Sequence, residues 1–175
     1  MTNKPFESSL IEGVALIGFR LNPDSESSDL FTLMAYGDRD FPVQQAGRIV
    51  FFCDVALVPV AFKCFPDEIT RGLQPPLEAQ LVCDLARALH IIETRDCDDS
   101  ATVLNCLNTL FDLVTASGLY WPNRYKHVLY SLADHLTFQQ EFLAFLEQRG
   151  VTRRRIIDAF LWCIGAVSVK AKLIS

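Results

Sequence analysis

The chain has 175 residues and a net charge of −5, half its residues are hydrophobic, and 13 are Phe. That length fits one domain able to bury roughly 70% of its unfolded surface without a metal or disulfide, and the composition excludes a disordered chain. Residues 149–175 carry six cations (Arg149, Arg153, Arg154, Arg155, Lys170, Lys172) against Asp158 alone, so the rest is an acidic body of net −10, which repels nucleic acid and suits basic partners.

The N-terminal third reads as strands. Gly13 to Leu21 is short and apolar, and Asn22 to Asp29 is a loop by composition. Leu30 to Tyr36 makes a second strand closed by Gly37-Asp38. Phe41 to Gln45 is a short strand that Pro42 places at an edge, and Arg48 to Phe52 is the clearest strand of the group. Asp54 can cap a helix to about Phe65, although Val55, Val58 and Val60 also permit a strand and Pro59 must then sit early in the helix. Residues 66–76 carry three prolines and Gly72, the best internal boundary, so residues 1–66 and 77–175 are expected to be two parts of one compact body.

Beyond the boundary the period becomes helical. Leu81, Val82, Leu85, Leu89 and Ile92 predict a helix over Leu77 to Glu93. The next helix, Ser100 to Ser117, is the one around which the chain is organised. It repeats Val103, Leu104, Leu107, Leu110, Phe111 and Val114 at one-stripe spacing, with acceptors at its start and Gly118 past its end. Trp121-Pro122 opens a helix with its stripe at Tyr125, Val128, Leu129, Leu132 and Leu136. Thr137 and Gln140 form a capping box for Phe138 to Arg149, and Thr152 caps a last helix to about Lys172 that is apolar on nearly every side. Its apolar run of about 11 residues, from Ala159 to Val169, falls short of the roughly 20 a bilayer needs, and Met1–Ser9 has no secretory pattern. The expected fold is α+β: a small N-terminal antiparallel β-meander with one helix, packed against a C-terminal five-helix bundle.

No motif carries a reaction. His127, Ser131, Asp134 and His135 share the vocabulary of acyl transfer on one helix, but a mid-helix serine has no free N–H beside it to form an oxyanion hole. The two histidines rise about 12 Å apart along that helix and cannot share an ion. His90 with Glu93 is a lone pair of possible ligands, and no Cys/His zinc spacing exists. Asp96, Asp98 and Ser100 begin a calcium-loop pattern that fails at Ala101 and Leu107. No cofactor or metal is expected. Six scattered cysteines, Cys97 alone in a polar loop, suit reduced thiols in a cytoplasm.

Two clusters remain. Arg153, Arg154 and Arg155 stand in a helix's first turn, where they oppose the dipole unless they bind an anion or pair with the acidic body. Asn105, Asn108, Thr109, Asp112 and Thr115 form an almost uncharged polar side of the central helix, which suits internal polar packing or, with His127, Ser131 and His135, a pocket or interface. The expectation is a non-catalytic cytoplasmic protein-interaction or regulatory domain with a protein partner or self-association, such as a homodimer, and neither nucleic acid nor membrane. The alternative is a small anionic-ligand-binding domain or enzyme using Arg153–Arg155.

Overall fold

A computed structural model describes residues 10–94, 99–138 and 142–175. Met1–Ser9, the acidic loop with Asp96, Cys97 and Asp98, and Gln140 and Glu141 lie outside the described residues. The fold is mixed α+β, and among the described residues one sheet holds seven strands.

Strand β1 (Ile11–Arg20) runs antiparallel to β2 (Leu30–Gly37), with Leu16 opposite Leu33 and Gly18 opposite Phe31. Their connection is pinned by Asp29, whose carboxylate accepts the N–H groups of Leu21 and Asn22 at 2.7 and 3.1 Å, which holds its pKa below the usual carboxylate value. The segment expected as one strand over Phe41 to Gln45 is split at Val43 into β3 (Phe41–Pro42), paired with β2, and β4 (Gln44–Gln45), paired with β5 (Arg48–Phe52). The turn between β4 and β5 uses Ala46 and Gly47, both at positive φ (53° and 73°), the left-handed geometry that matches strand twist in two-residue hairpins.

Two strands correct the expected antiparallel meander. Residues 77–84, expected at the start of a helix, instead contain β6 (Ala79–Asp84), parallel to β1, and α3 (Leu85–Thr94) starts only after it. Gln80 is the extra residue in that ladder, and its side-chain oxygen accepts the Leu16 N–H at 2.6 Å, so the bulge does not leave that donor unpaired. The last helix stops at Val169 rather than Lys172, and Ala171–Ile174 becomes β7, parallel to β5.

Period-2 alternation gives the sheet two cores. Ile17, Phe19, Met34, Ile49 and Phe51 face helices α3, α4 (Ser100–Ser117), α5 (Asn123–Phe138), α6 (Phe142–Arg149) and α7 (Arg153–Val169). Leu16, Phe31, Leu33, Val50 and Phe52 face the other way, onto α1 (Val58–Phe62) and Phe65, just before the one-turn α2 (Asp67–Thr70). Residues 55–62 are therefore helical: Asp54, extended at the N-cap, accepts the Ala56 N–H at 2.8 Å, a 3-10 turn spans Val55–Leu57, and Pro59 sits in the first turn of α1, where its missing N–H costs nothing.

α4 has the expected bounds, with Asp99 accepting the Thr102 N–H and Gly118 at φ 67°. It touches α3, α5, α7 and three strands. No helix starts at Phe138: α5 continues through it and the Thr137 hydroxyl donates back to Ala133 O, while Gln140, the other half of the expected capping box, lies outside the described residues. α7 is less enclosed than expected: Leu161 and Val169 are exposed while Ile156, Phe160 and Cys163 are buried.

The core thiols are chemically quiet. Burial pushes Cys163 up to about 12, and Cys83, hydrogen-bonded to Cys106 between β6 and α4, is also held well above an ordinary thiol. Cys83, Cys106 and Cys163 are therefore expected to resist a thiol reagent until the chain unfolds, while exposed Cys53 reacts at once; mass spectrometry after timed labelling checks this. Labelling of any of the three in the native protein would contradict the packing described.

Candidate functional site

The polar side of α4 runs from an exposed end into a groove. Positions 105, 108, 112 and 115 lie on one face at helical spacing, but their surroundings differ. Asn105 and Asn108 are exposed, and the buried Thr109 hydroxyl is spent on Asn105 O. Asp112 and Thr115 enter a groove of about 1140 Å³.

Three stretches of chain meet there. The turn between β2 and β3 contributes Arg39 and Asp40, β3 itself contributes Phe41, and the residues after α1 contribute Phe65, Ile69 and Arg71. α4 forms the third wall, tied to the sheet by the Gln44 side chain, which donates to Ala116 O at 3.0 Å. The floor is apolar and the rim charged, the usual composition of a site that grips a carbon surface and orients it with a few polar groups. Segment 66–76 is thus more than a connector: its residues build one wall.

Asp112 is the unusual group in this groove. Its carboxylate is half-buried and makes no hydrogen bond or ion pair with another described residue. Burial, and secondly the Asp40 carboxylate, raise its pKa from 3.8 to about 6. Tyr130 of α5 lies near enough to feel the Asp112 charge, though burial is the larger cause of its own raised pKa. Tyr130 belongs to an aromatic cluster that sequence reasoning missed: it stacks on Phe111 at 4.4 Å, and Trp121 and Trp162 stack at 6.3 Å.

The other predicted site residues do not join this groove. His127 is exposed on α5, Ser131 is half-buried, and His135 lays its ring against Phe145 at 5.4 Å. Arg153 donates to the Glu93 carbonyl at 2.9 Å, filling an acceptor at the C-terminal end of α3, where the dipole favours a cation; Arg154 and Arg155 are exposed. None of these six lines this groove or the apolar cavity between the sheet and helices α4 and α7. Among the described residues no three His, Cys, Asp or Glu side chains could together hold a metal ion, and no helix is long and apolar enough to cross a membrane.

The sequence did carry one signal for the missed wall. Breaker-rich segments are where binding residues concentrate, and Glu68, Ile69 and Arg71 interrupt the prolines of 66–76. What it did not carry was that Asp40 and Asp112, 72 positions apart, face one space.

No known family model matches the chain, and no curated protein matches it in sequence. Among solved structures it is similar to the C-terminal domain of SatS, determined in complex with bromine, at 12% identity and a TM-score of 0.46, over 93% of this chain and 94% of that one. A likeness that loose carries no argument about either fold or activity.

Proposed function

We propose that the chain is a non-catalytic protein-interaction domain, and that the groove beside α4 takes an extended segment of a partner with one basic side chain among apolar ones. The observation that carries this reading is the Asp112 carboxylate, without a partner among the described residues, half-buried in an apolar-floored groove and facing Asp40. A carboxylate in that position is destabilised as an anion, and a Lys or Arg side chain brought into the groove relieves the cost. Phe41, Phe65 and Ile69 supply the apolar surface that an extended segment covers, while Arg39 and Arg71 at the rim can donate to its main-chain carbonyls. The acidic balance of residues 1–148 draws a basic partner toward this surface. A regulatory role in a reducing cytoplasm, with the partner supplying the activity, is the setting this reading implies.

Selection of a random peptide library displayed on phage against the full chain tests it. Enriched sequences are expected to hold Lys or Arg within two or three positions of an apolar residue, and to lose at least tenfold in affinity on Asp112→Asn. Absence of enrichment, or peptides indifferent to both Asp112→Asn and the groove-filling Thr115→Trp, removes the proposal. Thermal stabilisation by inorganic phosphate that disappears when Arg153, Arg154 and Arg155 become Gln supports the anion-binding alternative in its place.

A further inference from the structure

A second cavity lies between the helix-facing side of the sheet and helices α4 and α7. It has a volume of about 290 Å³. Phe19 and Phe51, packed edge to face at 5.7 Å, line it from the sheet, and Leu110, Leu113, Ile164 and Val167 line it from the helices. It is separate from the groove at Asp112 and shares no residue with it.

Its chemistry is one-sided. Of the twelve lining residues only Ser168 is polar, and that hydroxyl already donates to Ile164 O at 2.8 Å. Among the described residues no titratable side chain lines it, so a carboxylate or ammonium entering there would lose its hydration and gain nothing. Water fares little better, because a water molecule needs two to four polar partners to settle in a cavity. Apolar walls of Leu, Ile and Phe facing solvent through such a recess are wetted at a cost that a carbon guest removes. An engineered apolar cavity of about 150 Å³ already admits benzene, and this one is about twice as large. The mouth is marked by Leu21 and Leu173, which are 48% and 60% exposed, so a guest can enter from solvent without unfolding of the core.

We infer that this cavity is a binding site for an uncharged, lipid-like small molecule, a single medium-length alkyl chain whose neutral polar end stays at the Leu21–Leu173 mouth. The apolar lining supplies affinity by area removed from water, and the absence of a cation from that lining, among the described residues, selects against a fatty-acid carboxylate of the same length. The site needs no partner protein and no residue of the Asp112 groove.

The test is fluorescence titration of the full chain with N-phenyl-1-naphthylamine, followed by displacement with 1-decanol below its solubility limit or with decanoate. Saturable probe binding is expected, displaced by 1-decanol at concentrations at least tenfold lower than decanoate. Val167→Phe, which fills the cavity, is expected to keep or raise the melting temperature while weakening probe binding at least tenfold. Ala171→Leu provides a milder filling variant should Val167→Phe fail to fold, and Asp112→Asn is expected to leave probe binding unchanged. Non-saturating fluorescence, equal displacement by alcohol and carboxylate, or full binding by a folded filled variant overturns the inference. A cavity that accepts only a partner's apolar side chain shows itself as the first of those outcomes.

Discussion

Replacing Asp84 by Ala is expected to lower the unfolding free energy by about 2–4 kcal/mol, read as a shift of the urea midpoint. One carboxylate oxygen accepts the Arg87 N–H at 2.9 Å and so caps α3, and loss of such a cap costs about 1 kcal/mol. The other receives the Arg20 guanidinium at 2.8 Å, between side chains 29% and 17% exposed, across the β1–β6 pair. Arg20 also donates to Glu26 O at 3.1 Å, but its Nε is buried without a partner among the described residues, so the guanidinium depends heavily on Asp84. Removing Asp84 leaves that charge half-buried and uncompensated, which adds about 1–3 kcal/mol. The two roles separate experimentally. Asp84→Asn keeps an oxygen for the cap and loses only the ion pair, so it is expected to recover about 1 kcal/mol of the deficit. A double-mutant cycle with Arg20→Met should show coupling of about 1 kcal/mol or more, and strict additivity would sink the claim that one side chain joins sheet and helix.

Asp84 also shows where the sequence stops being readable. α4 and β5 have the bounds their residues suggest, because each is specified locally: a stripe with caps at both ends, and an unbroken Ile-Val-Phe-Phe run. β6 is different. Leu81, Val82 and Leu85 fit a helix as well as a strand followed by a helix, and only the empty edge of β1, some 60 residues earlier, decides between them. β7 is decided the same way by β5, more than 100 residues upstream, and parallel pairing leaves no hairpin turn in the sequence to announce it. The candidate site divides along the same line. A helix face with Asn105, Asn108, Asp112 and Thr115 is visible from spacing alone, whereas the walls that make a groove at its Asp112 end arrive from 39–42 and 64–73. His127, Ser131 and His135 share a helix and still meet neither cavity, since a helix distributes i, i+4 and i+8 positions along a rod.

Asp112→Asn is expected to make the protein more stable at neutral pH and less able to bind, two effects that together identify what the carboxylate is for. Its pKa rises from 3.8 in an open chain to about 6 in the fold, chiefly through burial and secondly through Asp40. Between those pH values the folded state holds a proton that the unfolded state releases, so the stability this group confers is complete below pH 3.8 and is lost as pH rises through about 6. A shift of that size corresponds to about 3 kcal/mol, and screening at a partly exposed side chain reduces it to about 1–2 kcal/mol. Asn keeps the shape and does not titrate. The variant should therefore exceed the wild type by about 1–2 kcal/mol at pH 7, and the gap should close toward pH 4. Asp40→Asn should recover only a fraction of this, because burial is the larger cause. Urea midpoints for the three proteins from pH 4 to 8 measure all of it, and a pH-independent difference would mean that Asp112 is solvated. A gain in stability alone marks only an awkward carboxylate. A gain accompanied by a tenfold loss of affinity for a Lys- or Arg-bearing peptide means that the folded chain tolerates an unpaired charge because the partner supplies its counterion.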